Sequence, residues 1–173
     1  FARVRALTVY RELGFSRDKA RRFHALRARV RRAMPPVSTG RIVYIGRGAS
    51  GGHRAMSNAA ELEAAFVNAG SDVLEPEDGS EGFVRSLLDA DLIIAVEGSQ
   101  ACHAIYTLAD RGALLILQPP ERFYNPHHEW TRLLGMAYGF VVGEKDATSY
   151  RINPDEVLAM SERLLAAPRD VDI

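Results

Sequence analysis

A glycine-rich loop near residue 50 has the residue types needed to bind a phosphate group. Residues 46–51 read Gly-Arg-Gly-Ala-Ser-Gly. The loop carries two arginines, Arg47 and Arg54, and three of its glycines lie between them. A guanidinium group donates two parallel hydrogen bonds to phosphate oxygens, so a pair of arginines on such a loop is suited to a diphosphate. The alternative is a solvated glycine loop with surface arginines.

The same glycines match the G-x-G-x-x-G spacing of dinucleotide-binding folds. Glu75 lies about where such folds place a carboxylate for the ribose. However, Asn58 and Glu61 have the spacing of a capping box, which predicts that the helix begins well after Gly51 rather than within the glycines. The loop also carries charged side chains where a dinucleotide turn leaves backbone N–H groups facing the pyrophosphate. We therefore favour an arginine-bearing phosphate loop.

A second loop, formed by Glu97, Gly98, Ser99 and Gln100, joins an apolar run to a predicted helix. Gly98 permits a ligand to approach the backbone, and Ser99 is suited to cap a helix whose first N–H groups attract anions. Glu97 could accept hydrogen bonds from sugar hydroxyls and is a weak candidate for a catalytic group. His103 would contact phosphate if it faces the loop. The alternatives are an ordinary cap with Glu97 in water, and a core histidine at position 103.

Two other polar groups are weaker candidates for a metal site. Asp89 and Asp91 form a D-x-D, but they stand at the start of a predicted strand, away from the edge of the sheet that binds ligands. His127 and His128 are adjacent, and neighbouring side chains on a helix point about 100° apart, so the two rarely chelate one ion. We expect neither group to bind a metal.

Alternating strands and helices position these loops. Strands are predicted at 41–46, 71–75, 91–98, 113–118 and 139–144, and helices at 58–70, 79–90, 99–112, 127–139 and 153–167. The third and fourth strands are apolar almost throughout, as expected of parallel strands covered on both faces. The pattern predicts a doubly wound, mostly parallel α/β sheet that binds ligands beyond the C-terminal ends of its strands, where the strand order reverses.

The N-terminal segment differs in charge from the rest. Residues 1–34 contain 11 basic and 2 acidic residues, against 11 and 20 in the remainder. Ser16 is a plausible N-cap for a long helix there, and Pro35 and Pro36 end it. We therefore divide the chain into a basic helical segment, residues 1–36, and a Rossmann-like domain, residues 41–173. The basic helix is expected to be solvated or to pack on an acidic surface, in an N-terminal domain or a partner chain. Nucleic acid is not an expected partner.

The remaining composition limits the class of protein. The single Cys102 excludes an internal disulfide framework and a cysteine-rich metal site, and it suits a reducing compartment. No apolar stretch is long enough to span a membrane and no signal peptide is recognisable. We expect a cytoplasmic protein, at most peripheral to the membrane. Because the chain starts at Phe1 rather than Met, we also expect it to be part of a longer protein.

Several motifs taken in order resemble a known family. They are Tyr-Ile-x-Arg at 44–47, the second arginine at 54, Asn-x-x-Glu-Leu at 58–62, Ala-Asp-Leu-Ile-Ile-Ala-Val-Glu-Gly-Ser at 90–99, and a short strand after 111–112. This order is similar to that in the C-terminal, nucleotide-sugar-binding part of glycosyltransferase family 61. The family includes bacterial capsular-polysaccharide proteins and eukaryotic xylosyl- and N-acetylglucosaminyltransferases. The similarity extends over roughly residues 41–165.

The resemblance implies a GT-B architecture and inverting transfer from a nucleotide-activated sugar to a glycan acceptor, without a cofactor or an obligatory metal. The implied donor-binding residues are Arg47, Arg54, Glu97, Gly98, Ser99, Gln100 and His103. Many members have His-Gly-Ala-Gly where this chain has Glu-Gly-Ser-Gln, so Glu97 replaces a histidine. The phosphate-binding role of the backbone N–H groups does not depend on that histidine. The acceptor site and the general base are expected in an N-terminal domain.

Two other functions fit the sequence. The first is a non-catalytic binding or assembly module, in which a Rossmann-like domain uses its basic helix to contact a partner or a membrane. The second is an NAD-type oxidoreductase domain, supported only by the glycine spacing and Glu75. Nucleotide preference would separate these from a sugar transferase.

Overall fold

The computed structural model describes residues 14–35, 40–46, 56–76 and 80–167. The strands are β1 (Arg41–Ile45), β2 (Asp72–Leu74), β3 (Ala90–Val96), β4 (Ala113–Gln118), β5 (Ala137–Val142), β6 (Glu144–Asp146) and β7 (Ser149–Arg151). The helices are α1 (Arg17–Ala33), α2 (Ala59–Asn68), α3 (Ser80–Leu87), α4 (Ala104–Thr107), α5 (His127–Leu133) and α6 (Pro154–Ala166). A 3-10 helix, Ser99–His103, directly precedes α4.

Five strands form one parallel sheet in the order β2-β1-β3-β4-β5, and β6 and β7 form a separate antiparallel hairpin. Side chains from the two faces of the sheet enter two apolar clusters. One cluster packs against α3, α4 and α5, and the other against α2 and α6. Nearly every residue of β3 and β4 is buried, because both strands are covered on both faces. The predicted doubly wound α/β fold is confirmed.

The strand order reverses between β1 and β3. From β1 the chain passes through α2 to β2 on one side, and from β3 it passes through α4 to β4 on the other. β1 and β3 are hydrogen-bonded neighbours with Ile45 opposite Ala95, so both strands end at the same edge of the sheet. The crossover helices therefore diverge here and leave a crevice, which is where doubly wound sheets bind ligands.

The basic helix α1 is docked on the outer side of α4 and α5. Its N-cap is Ser16, as predicted, whose hydroxyl accepts a hydrogen bond from the Lys19 backbone N–H. Halfway along the helix, the Arg27 side chain is 2% exposed and donates to the carbonyls of Ile105 at 3.0 Å and Leu108 at 2.6 Å. These carbonyls lie in and just after the last turn of α4. The last carbonyls of a helix have no N–H partner within the helix. The arginine satisfies them.

Acidic residues of this same chain complete the docking of α1. Arg31 donates to the Asp89 carboxylate at 2.7 Å, and Lys19 pairs with Glu129 at the start of α5. The acidic surface expected for the basic helix is thus present within the chain, on the α/β unit itself. Among the described helices, α1 included, none combines the length and the apolar character needed to cross a membrane.

Two predicted helices were wrong in detail, and one hairpin was not predicted. The helix predicted at 99–112 is the 3-10 helix followed by the single turn α4. The helix predicted at 127–139 ends at Leu133, because Gly135 adopts a left-handed φ of 65° that breaks it, and β5 begins at Ala137. The β6–β7 hairpin was not predicted, since its short, largely exposed strands lack an alternating apolar pattern.

The predicted capping box at the start of α2 was also wrong. Asn58 precedes the helix, but its side chain makes no capping hydrogen bond. Its amide instead donates to the Ile152 carbonyl at 2.8 Å and accepts from the Ile152 N–H at 3.1 Å. Asn58 therefore ties the start of α2 to the segment between β7 and α6.

Candidate functional site

The first predicted loop leaves the sheet at the end of β1. The N–H of Gly46 donates to the Leu74 carbonyl at 2.8 Å, and the Glu75 carboxylate lies over Gly46 so closely that a Cβ there would overlap it. Glu75 thus stands at the C-terminal edge of the sheet, as expected. Arg47 and Arg54 lie outside the described residues.

The second predicted loop leaves the neighbouring strand. The Glu97 N–H donates to the Leu117 carbonyl at 2.9 Å, which extends the pairing of β3 with β4 by one residue. The Glu97 side chain is only 3% exposed, so it does not point into water. Its carboxylate lies 3.9 Å from the guanidinium of Arg122, whose side chain is 57% exposed. A buried acid is therefore paired with a cation at the protein surface.

The backbone after Glu97 is open. Gly98 has a φ of 160°, which is extended backbone that any residue adopts. A Cβ at Gly98 would lie 3.1 Å from the oxygen at the end of the Gln100 side chain and, at an ordinary contact distance of 3.8 Å, from the Val96 carbonyl oxygen. Ser99 opens the 3-10 helix and donates to the Gln100 side-chain oxygen at 3.4 Å instead of capping a backbone N–H. The prediction of Ser99 as the N-cap was wrong.

His103 is turned away from the loop. Its Nδ1 shares a hydrogen bond with the Tyr106 hydroxyl, and its ring meets the Phe83 ring edge to face at a centroid distance of 5.2 Å. Burial lowers the pKa of His103. These contacts are those of a histidine satisfied within the α3–α4 packing.

A cavity of about 420 Å³ opens beside the Glu97 loop, between that loop and the segment after β4. Its lining is Glu97, Gly98, Ser99, Cys102, Ile105, Arg122, Tyr124, Pro126, His127 and Trp130. Gln118, at the end of β4, holds the lining segment that contains Tyr124. Its side chain donates to the Tyr124 carbonyl at 2.8 Å and accepts from the Tyr124 N–H at 3.4 Å. The cavity is thus part polar and part aromatic.

Among the cavity residues that the sequence did not predict is His127, which was considered only as a metal ligand. It is 2% exposed, and neither ring nitrogen has a hydrogen-bond partner among the described residues. Its ring meets Tyr124 and Trp130 edge to face, at centroid distances of 6.1 and 5.9 Å. Burial lowers the pKa of His127 and favours the neutral ring. A sequence signal was available, since His127 closes the loop that follows a buried parallel strand.

A larger groove of about 600 Å³ lies elsewhere, between α2 and the start of α6. Its charged lining residues are Glu61, Glu144, Arg151, Asp155 and Glu156, and the arginine already pairs with Glu61 at 2.9 Å. Carboxylates in excess repel a diphosphate. The smaller cavity, which opens beside the loop after β3, is therefore the better candidate for a nucleotide.

The predicted D-x-D lies at the opposite edge of the sheet, because β3 begins at Ala90. The Asp89 carboxylate accepts a hydrogen bond from Arg31, near the C-terminal end of the basic helix. Within the four described ranges, no three histidine, cysteine or acidic side chains are grouped as a metal site.

Comparison with known proteins identifies a family for this site and fold. The model of the family described as Glycosyltransferase 61 matches residues 3–116, which is well over half of the chain. No curated protein matches. The family match covers a different range from the similarity described in the sequence analysis, which extends over residues 41–165. The match includes the basic helix and ends within β4. It contains β1, β3 and both predicted loops, and the chain is a member of glycosyltransferase family 61.

Proposed function

We propose that this chain is the nucleotide-sugar-binding part of a GT-B glycosyltransferase in polysaccharide or glycan synthesis. Family membership supports sugar transfer in general. The observation that carries the donor-binding role is the reversal of strand order between β1 and β3, from which both candidate loops depart. The single cysteine is in keeping with a cytoplasmic location.

In this proposal the two loops divide the donor between them. Arg47 and Arg54 neutralise the diphosphate, and the backbone at Gly98 approaches it from the next strand. Stabilising the charge that develops on a leaving nucleoside diphosphate typically lowers a barrier by several kcal/mol. Glu97, buried beside Arg122, accepts hydrogen bonds from donor hydroxyls. The acceptor and the general base belong to a domain outside this chain, and no metal is required.

A panel of ligands tests the donor-binding role. The melting temperature of the chain is measured with UDP, GDP, CMP and NAD, for the wild type and for Arg47→Ala. A ligand at about a hundred times its Kd stabilises by about 2.7 kcal/mol, which raises the melting temperature of a chain this size by about 5 °C or more. We expect this shift with a nucleoside diphosphate and its loss in Arg47→Ala.

The matched control is Arg29→Ala, which removes an exposed arginine from α1 and should keep the full shift. Stabilisation by NAD alone contradicts the proposal. A chain that responds to none of the four ligands also contradicts it and favours the non-catalytic module. One observation supports that second candidate: the outer face of α1 exposes Arg17, Arg21, Arg29 and Arg32, a basic surface open to a partner.

A further inference from the structure

The cavity beside Glu97 contains a buried histidine whose polar atoms are unused within the described fold. The ring nitrogens of His127 have no hydrogen-bond partner among the described residues, although the residue is only 2% exposed. Leaving buried polar atoms unsatisfied opposes folding, so such groups are rare in native proteins and call for an explanation. The ring lines a cavity, and a ligand there is the direct explanation.

The lining indicates what kind of ligand fits. The carboxylate of Glu97 accepts hydrogen bonds but donates none when ionised, and it repels phosphate because of its charge. A neutral imidazole offers one donor and one acceptor. Trp130 and Tyr124 add flat apolar surfaces to the same wall. A ring with several hydroxyl groups and apolar C–H faces matches all three features. A phosphate would use only the imidazole donor and the guanidinium of Arg122, and would gain nothing from the carboxylate or the flat apolar surfaces.

We propose that this cavity binds a sugar ring of the nucleotide-sugar donor, with Glu97 accepting from its hydroxyls and His127 completing the hydrogen bonds. The inference rests on the donor-binding function proposed above and assigns the sugar to the side of the Glu97 loop that faces the segment after β4. The ring nitrogens of His127 are buried in the unliganded chain, so the proposal requires that the half-exposed Tyr124 ring, which lies against the imidazole, moves aside when the sugar binds. His127 is a specificity-determining residue in this arrangement.

The variant His127→Phe separates this role from a structural one. Phenylalanine keeps an aromatic ring between Tyr124 and Trp130 and removes the unpartnered nitrogens, so the unliganded protein should melt no lower than the wild type. Binding of the sugar ring should weaken about tenfold, the equivalent of one lost hydrogen bond. His127→Leu, a smaller apolar substitution, serves if the phenylalanine is too large to fit.

Calorimetric titration of the whole chain with matched ligands provides the test. The ligands are pyrophosphate, UDP, UDP-glucose, UDP-N-acetylglucosamine, UDP-xylose, GDP and GDP-mannose. We expect at least one nucleotide sugar or nucleoside diphosphate to lose about tenfold in affinity in His127→Phe, with pyrophosphate unaffected. Loss confined to a nucleotide sugar assigns the cavity to the transferred sugar, and equal loss for its nucleoside diphosphate assigns it to the ribose.

The control is His128→Phe, the same substitution at the next residue, whose exposed side chain does not line the cavity. It should leave every affinity unchanged. If the wild type binds nucleotides and His127→Phe binds them all equally well, this inference is overturned while the proposed function stands. If the wild type binds no nucleotide, the proposed function fails and the inference fails with it.

Discussion

Glu97 and His127 line one cavity from two different elements, the end of β3 and the start of α5. Each opposes folding, because a buried carboxylate loses hydration and a buried unpaired imidazole loses hydrogen bonds to water. Buried ionisable groups that face one cavity are candidates for a ligand site. They set this cavity apart from the larger acidic groove, whose charged residues are largely exposed.

Gly98 provides a prediction about the backbone at this site. Gly98→Ala should leave stability nearly unchanged, because the backbone is extended and the new methyl group is crowded only by the mobile end of Gln100. If the donor diphosphate approaches this backbone, the methyl group obstructs it, and affinity for a nucleoside diphosphate should fall about tenfold, or about 1.4 kcal/mol. Titration calorimetry measures the affinity and thermal unfolding the stability.

Gly82→Ala is the matched control for a glycine-to-alanine change. Gly82 lies in α3, and a methyl group added there would have no neighbouring atom within 4 Å. Alanine should therefore stabilise the helix by about 0.5–1 kcal/mol and leave nucleotide affinity alone. A Gly98→Ala protein that binds nucleotide as tightly as Gly82→Ala does would argue against close approach of the ligand at Gly98.

The residue types predicted only part of the candidate site. The position of Glu97 and Gly98 at the C-terminal edge of the sheet could be predicted, because they follow a continuous apolar strand. The orientation of the His103 ring could not be predicted, because it depends on contacts with Phe83 of α3 and Tyr106 of α4. The burial of His127 likewise depends on how Gln118 holds the following loop against it.

At the scale of elements, α1 explains why a strongly basic helix belongs to this fold. Two of its arginines, Arg27 and Arg31, meet at the carbonyl of Leu108 just beyond the short helix α4. A helix C-terminus carries partial negative charge on its free carbonyls, and cationic side chains there are favourable. The helix is thus held on the α/β unit by its charge, in accord with a family match that begins at residue 3.

Arg27→Ala should therefore destabilise the whole unit. The substitution strands the carbonyl of Ile105, leaves the carbonyl of Leu108 to Arg31 alone, and leaves a void in place of a buried side chain. We expect a loss of about 2–4 kcal/mol in the free energy of unfolding, measured by urea denaturation. Arg29→Ala, on the exposed face of α1, should change it by no more than about 0.5 kcal/mol. Equal effects of the two substitutions would contradict docking through Arg27.

Element types were predictable where one pattern dominated. β3 and β4 are continuous apolar runs, and α6 has an Asn153 cap followed by Pro154, a clear helix start. The 3-10 turn was not predictable, because Ala101 and Ala104 suit an α-helix equally and their tight packing against the sheet is a tertiary effect. Leu134 and Met136 led to a predicted helix that is too long, because apolar residues are buried there although the chain is no longer helical.

At the scale of the whole molecule, the order of the strands decides where the site is. The sequence pattern predicts parallel strands joined by helices but not their lateral order, because pairing between distant strands leaves no local signal. The observed order, with β1 between β2 and β3, brings the C-terminal ends of β1 and β3, from which the two candidate loops depart, next to each other. Any order separating β1 from β3 would have separated the two candidate loops and weakened the case for a shared ligand.

The pH dependence of stability should report the burial of His127. Its pKa is lowered from an ordinary value of 6.5 by burial in the folded state. Above pH 6.5 the ring is neutral whether the chain is folded or unfolded, so it has no effect there. As the pH falls below 6.5 the unfolded chain takes up a proton that the folded chain refuses, and stability declines by as much as about 1.4 kcal/mol per pH unit until the folded pKa is reached.

The sign of this effect can be checked against variants. Melting temperatures between pH 8 and 5 should fall on the acid side for the wild type and for His128→Phe, and His127→Phe should show a shallower decline. His103, whose pKa burial also lowers, contributes in the same direction in all three proteins, and so it cancels in the comparison. A profile for His127→Phe that parallels the wild type would mean that His127 takes up its proton at the same pH in the folded and the unfolded chain, which contradicts a pKa lowered by burial.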